Sequence, residues 1–374
     1  AQVDYFNKFT PNSNLEVGGK ASFDYRNSLD QSFDENHIEI AERNNPWLYI
    51  EQIYALYASY GNKIKWFGFQ VGVRGEETVI DANNITRSYF QLFPSVYLSF
   101  ELTKQNEIQV NYTRRINRPR GPQLNSYIDR TDPSNITYGN PWLMPEYSNN
   151  VELNYLKTWD IHTLSAGLYY SYTENVIQRV SKLNETGVME NTYENINYSH
   201  NAGIELIAKN RLFKNYLDLT TSVTGYYYSL GENEKYHIAR TETFSWNARI
   251  NANVKILSNL SAQVTAYYNA PRLVAQGTVD HRYGLNAGIK ASFLNKALSV
   301  NFTVNDILNS RSNSLRTNYS DNFYQESATT SIGRNYRLSL SYNFGNMKPK
   351  RNKTPQPNNQ NMSGGFEDDM STDF

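Results

Sequence analysis

The chain of 374 residues contains no cysteine. That excludes a disulfide framework and any thiolate metal site. No run of about eighteen apolar residues occurs, so a transmembrane helix is excluded too. Lys plus Arg and Asp plus Glu stand at 36 each, giving a formal net charge of zero. Nothing here would steer nucleic acid from a distance. The five histidines, His37, His162, His200, His237 and His281, show no H-E-x-x-H or other ligand spacing. No G-x-S-x-G or P-loop is present either, so neither enzyme, metal nor cofactor is expected. His237, and His281 beside Asp280, lie in or next to long connections, where a hydrolytic barrel would need them; adjacency in sequence does not set catalytic geometry. There is no initiator Met and no signal-peptide pattern: Ala1 opens into Gln2-Val3-Asp4-Tyr5-Phe6, which reads as the end of a strand. An exported protein needs such a signal, so the chain is expected to be processed or, more in keeping with this start, a piece of a longer one.

What the chain has is alternation. Tyr336, Leu338, Leu340, Tyr342 and Phe344 alternate with Arg337, Ser339, Ser341 and Asn343. Successive side chains of a strand point to opposite faces, so each set shares one face. The same pattern appears over 244–254, 283–293 and 298–305. Segments of about ten residues suffice for a tilted strand to cross hydrocarbon. The mean hydropathy of −0.66 is compatible with this, because half of each strand would face a wet lumen. Aromatics make up 14% of the residues, including 30 Tyr, a load that suits interfacial girdles. The pattern predicts an all-β, antiparallel, up-and-down transmembrane barrel; a soluble all-β protein with tyrosine-rich edges is the competing reading.

Strands are expected near 1–6, 15–26, 47–60, 64–78, 89–103, 107–117, 147–156, 162–176, 195–208, 216–229, 242–256, 259–269, 281–293, 297–306 and 334–344, about fourteen full strands and a partial first one. Short connections such as Gly61-Asn62-Lys63 and Lys104-Gln105-Asn106 alternate with long ones near 27–46, 79–88, 118–146, 177–194, 230–241, 270–280 and 307–333. Outer-membrane barrels put tight turns on the periplasmic side and long loops outside. On that rule the strand at 334–344 descends, and the loops at 118–146 and 307–333 are extracellular. Residues 1–345 form the expected barrel domain. Residues 346–374, almost without apolar content, form a disordered C-terminal tail that would hang into the periplasm. Alternation turns Gln109, Asn111, Thr113, Arg115, Arg249 and Asn251 inward, as lumen lining or as bonds within the wall. Tyr226, Tyr227 and Tyr228 near the mouth suit stacking on a flat cargo or a girdle position.

Three stretches go beyond pattern: Gly72-Val73-Arg74-Gly75-Glu76 with Thr78, Phe93-Pro94-Ser95-Val96-Tyr97-Leu98, and the span from Tyr112 to Leu153. The last holds Arg115-Ile116-Asn117-Arg118-Pro119 and Gly139-Asn140-Pro141-Trp142-Leu143-Met144-Pro145-Glu146. Here the chain resembles the C-terminal barrel of TonB-dependent outer-membrane transporters, most closely the outer membrane protein barrel family common in Bacteroidetes, with its R-x-x-R-P and G-N-P-x-L-x-P-E elements. Asn305-Asp306-Ile307-Leu308-Asn309 looks like that family's penultimate strand end. The resemblance covers essentially 1–345. It implies nutrient import across the Gram-negative outer membrane, of a siderophore, glycan or peptide. The partners it implies are outer-membrane lipid, a plug domain, the TonB energy-coupling complex through that plug, and a surface lipoprotein. Such proteins combine a plug with a barrel of about twenty-two strands, so a piece lacking the plug and about eight strands is implied.

In the loop at 118–146, Pro119, Pro122, Pro133, Pro141 and Pro145 fix φ repeatedly and stiffen the chain. Arg118, Arg120, Trp142 and Glu146 would either meet ligand or brace the wall. A motif shared by importers of different cargo favours bracing. A self-contained passive channel of about fourteen strands and a surface barrel that only binds partners are the alternatives.

Overall fold

The computed structural model describes residues 1–344 apart from 311, 321–322 and 331–332. The expected tail at 346–374 lies outside the described residues. The chain is nearly all strand: β1 (Gln2–Thr10), β2 (Ser13–Asp30), β3 (Asn45–Ile64), β4 (Phe67–Ala82), β5 (Ile85–Thr103) and β6 (Asn106–Asn117) come first. A single helical turn, α1 (Gly121–Leu124), follows, then β7 (Asn135–Thr137), β8 (Glu146–Trp159), β9 (His162–Leu183), β10 (Met189–Leu212), β11 (Leu217–Leu230), β12 (Thr241–Leu257) and β13 (Leu260–Asn269). The last part holds β14 (Arg272–Val274), β15 (Gly277–Val279), β16 (Arg282–Phe293), β17 (Leu298–Asn305), β18 (Ser312–Ser320), β19 (Phe323–Thr330) and β20 (Asn335–Tyr342).

One sixteen-stranded sheet runs β1-β2-β3-β4-β5-β6-β8-β9-β10-β11-β12-β13-β16-β17-β20, with β7 added in parallel beside β10. All other pairings on this path are antiparallel and join neighbours in sequence, which is the up-and-down connectivity of a barrel wall. Every strand read from the alternation is present. Among the described residues β1 and β20 end the path and do not pair with each other.

Register explains why one face is apolar. Val300 pairs with Leu340 and Phe302 with Leu338, whereas Asn301 pairs with Ser339 and Thr303 with Arg337. Leu338 and Leu340 are 65% and 69% exposed, and Leu56, Phe90, Ile204, Phe244 and Ile289 are exposed on the same side of their strands. Such a belt suits hydrocarbon and not water. Aromatics gather at its two edges. Trp66, Phe67 and Phe100 cluster beside the short β3–β4 turn. Trp246, Tyr268, His281 and Tyr283 stack in succession near the other edge.

Several expectations about loops are corrected: 79–88 is almost all hairpin, β4 running to Ala82 and β5 starting at Ile85, because Ile80 and Ala82 are buried on the inward face. The stretch 177–194 is mostly hairpin: β9 continues to Leu183 and β10 starts at Met189. Val176, Val180 and Ile196 are buried there against Leu230, Tyr236, Ile238 and Ala275, so pairing continues because neighbouring loops cover it. The connections at 270–280 and 307–333 also carry structure, since β14, β15, β18 and β19 form a separate four-stranded sheet.

Candidate functional site

The stiff connection between β6 and β8 folds inward across one side of the mouth. On β3 to β5, Trp47, Tyr49, Ile80, Ala82 and Tyr89 share the inward face by register. Leu124 of α1 and Leu143, each 1% exposed, pack into that group. Burying one leucine is worth about 2–3 kcal/mol, enough for two of them to hold a loop down.

The root of the loop is fastened by charge. Glu76, 5% exposed, faces inward from β4 between two arginines. Arg74 donates to its Oε2 from Nε at 2.8 Å and from Nη2 at 2.5 Å. Arg118 reaches Glu76 Oε1 from the other side and donates from Nη2 to Thr78 Oγ1 at 3.1 Å. Glu51 Oε1 lies 3.8 Å from Arg118 Nε. Burial pulls the Arg118 guanidinium below its ordinary range, and the charge of Glu51 opposes that fall.

The far end is held by a set of local bonds. A Cβ on Gly139 would lie 2.6 Å from the carbonyl oxygens of both Gln123 and Asn125, so this close backbone approach requires glycine. The amide of Gly139 donates to Asn125 O and that of Asn140 to Gln123 O. Asn140 Nδ2 donates to Tyr193 O at 3.0 Å, its Oδ1 accepts from the Trp142 amide at 2.9 Å, and Pro141 follows half-buried. Arg87 Nη1 donates to Leu143 O at 2.6 Å. Asn195 clamps Met144, accepting from its amide at 2.8 Å and donating to its carbonyl at 2.9 Å. Pro145 is fully buried. Glu146 accepts from the Ile177 amide at 2.6 Å and from Asn117 Nδ2 at 2.7 Å. Further out in the loop, the hydroxyl and amide of Thr131 hold the Asp129 carboxyl below its usual range.

The four residues singled out in the sequence therefore separate. Arg118 and Glu146 are bonded into the wall, whereas Arg120 is exposed and Trp142 is 67% exposed. Arg115 is exposed on the inward face beside Ser148, and Pro119 is buried. Of the inward residues expected from alternation, Asn251 accepts from Thr265 Oγ1 at 2.9 Å, a bond within the wall. His281 stacks between Tyr268 and Tyr283, and neighbouring Asp280 pairs with Arg316. Glu51, Glu76 and Arg87 carry no local signal as loop anchors; the shared parity of Arg74, Glu76 and Thr78 is the one hint.

The outer membrane protein beta-barrel family model matches residues 1–342. The chain belongs to that family. No curated protein sequence matches it. Among solved structures, the copper transporter OprC superposes with a TM-score of 0.69 at 10% identity, over 91% of this chain and 55% of that one. The FrpB iron transporter from Neisseria meningitidis (F3-3 variant) gives 0.60 at 14% identity, over 91% and 54%. A double mutant of the Serratia marcescens hemophore receptor HasR, in complex with its hemophore HasA and heme, gives 0.61 at 11% identity, over 92% and 58%. The chain thus spans somewhat more than half the length of these structures, and at such identities the likeness concerns the fold. The expected outer-membrane barrel family is borne out, and the fold is shared with these transporter and receptor barrels. Membership of the family places the chain in the outer membrane.

Proposed function

We propose that this chain is the barrel wall of a TonB-dependent outer-membrane transporter that imports a nutrient of the siderophore, glycan or peptide class. Residues 1–345 form the wall, with long loops extracellular and residues 346–374 periplasmic. A plug domain occupies the lumen and couples to the TonB complex, and a surface lipoprotein assists capture. No covalent chemistry is assigned to it.

The observation that carries this reading is the inward-folded loop between β6 and β8. Its root and far end are bonded to the wall through Arg118 and Glu146, while Arg120 and Trp142 stay exposed. Arg118, Glu146 and the Gly139–Pro145 stretch brace the mouth; Arg120 and Trp142 are the groups left to meet cargo. A braced mouth holds the exposed groups in a fixed geometry, which favours capture of a scarce solute.

The test is uptake by cells with and without the intact gene, against panels of siderophores, glycans and peptides, with and without an uncoupler of the inner membrane. The reading expects one class whose uptake needs both the gene and the proton gradient. Uptake that needs the gene and survives the uncoupler would establish a passive channel instead.

A further inference from the structure

The two halves of the inward face differ in charge balance. On β1 to β9, Arg26 pairs with Asp24, Lys63 with Glu101, and Arg74 and Arg118 with Glu76. Lys8, Lys20, Arg87 and Arg115, for which no ion pair occurs among the described residues, share the face with the carboxylates Asp4, Glu16, Glu107 and Glu152. Where β10 to β20 cross the belt, a single such pair occurs among the described residues, Arg211 with Asp218 at 2.8 Å. Beside it stand Lys209, Arg249, Lys255, Arg282, Lys290 and Arg337, none with an ion-pair partner among the described residues. Five of them are exposed and Arg282 is half-buried, its Nε without a hydrogen-bond partner. Among the described residues Glu205 is the one other inward carboxylate where these strands cross the belt; Glu190 and Glu194 lie in the β9–β10 hairpin beyond it, paired with Lys182 and Lys235.

The register orders these cations. Arg282 pairs with Asn269 and through it with Asn247, and Arg249 lies two residues further along β12. Lys209 is level with Asn251 through Thr220. Arg337 is level with Asn253 through Thr303, Gly288 and Gln263. Lys255 and Lys290 flank the same Ser261. Each successive inward level from Asn247 to Lys255 therefore carries a cation. That run covers about 27 Å along the strand, about 20 Å of height at the tilt of a barrel strand and so most of the apolar belt.

We infer that the β10–β20 wall forms a cationic track for a multiply anionic solute, so that the cargo of the proposed transporter carries several carboxylate or similar negative groups. The inference rests on the transport reading and narrows its substrate class. Unpaired Lys and Arg along a wet, low-dielectric-walled channel concentrate anions and pass them between sites. A solute path explains why the charges are spread along most of the belt.

The test uses the full-length protein purified from outer membranes in detergent, with citrate as the probe. Wild type is compared with Arg249→Gln/Lys255→Gln/Lys290→Gln and with the equal charge loss Lys20→Gln/Lys63→Gln/Lys104→Gln. Heat-modifiable mobility on semi-native gels reports barrel formation separately. The expected result is salt-sensitive citrate binding, weakened about tenfold in the first variant and little changed in the second. Folded barrels in which both variants bind citrate like wild type overturn the track and leave the transport reading standing. Absence of heat-modifiable mobility in wild type defeats the barrel itself. If the first variant keeps citrate binding and instead leaves the plug of the full-length protein open to protease, an acidic protein face is the partner and the inference fails.

Discussion

At the scale of single residues, Glu76 determines how the mouth is held. A carboxylate this buried persists because two guanidiniums meet it, and removing one partner strands the rest. Arg118→Ala is therefore expected to destabilise the folded barrel by about 3–5 kcal/mol, and Glu76→Ala by a similar amount. The double substitution should cost less than the sum, because both single changes break one network. Urea titration of the heat-modifiable band measures this; strict additivity would show that the two residues do not act together. Gly139→Ala should free the loop, since its Cβ meets two carbonyl oxygens at 2.6 Å. Limited proteolysis between 125 and 139 reads that change. The sequence displayed Arg118 and Gly139 within motifs, but not Glu76 as the partner. Sequence pattern reports which face a strand residue takes, and says nothing of which distant loop folds onto it.

At the scale of elements, the strands crossing the apolar belt were legible because hydrocarbon imposes strict alternation on them. Leu298-Ser299-Val300-Asn301-Phe302 leaves no other reading. Above the belt that constraint disappears. β18 begins Ser312-Asn313-Ser314-Leu315-Arg316 and pairs without an apolar face set by lipid, so its composition resembles a loop. The upper β9–β10 hairpin was hidden for the same reason, its apolar residues being covered by other loops and not by lipid. The loop between β6 and β8 is an element held by two buried leucines together with its polar clamps. Leu143→Ala is expected to cost about 2–5 kcal/mol and to raise protease sensitivity at the mouth, with the barrel band retained. Unchanged sensitivity would mean that the polar clamps from Arg87 and Asn195 suffice.

At the scale of the molecule, everything follows from a sheet with one apolar and one polar face. A charge on the apolar side at mid-belt costs about 2–4 kcal/mol, so Leu340→Arg should sharply reduce membrane assembly while Ser339→Arg is tolerated. Paired Val300 and Leu340 on one side, and Asn301 and Ser339 on the other, make this a comparison between adjacent residues of one strand. The chain's lack of cysteine allows a still more direct measurement. Single cysteines placed in turn at 336 through 343, spin-labelled in lipid vesicles, report contact with dissolved oxygen and with a water-soluble nickel chelate. The account predicts oxygen maxima at 336, 338, 340 and 342 and nickel maxima at 337, 339, 341 and 343. Two profiles rising and falling together, or lacking the two-residue period, would contradict it.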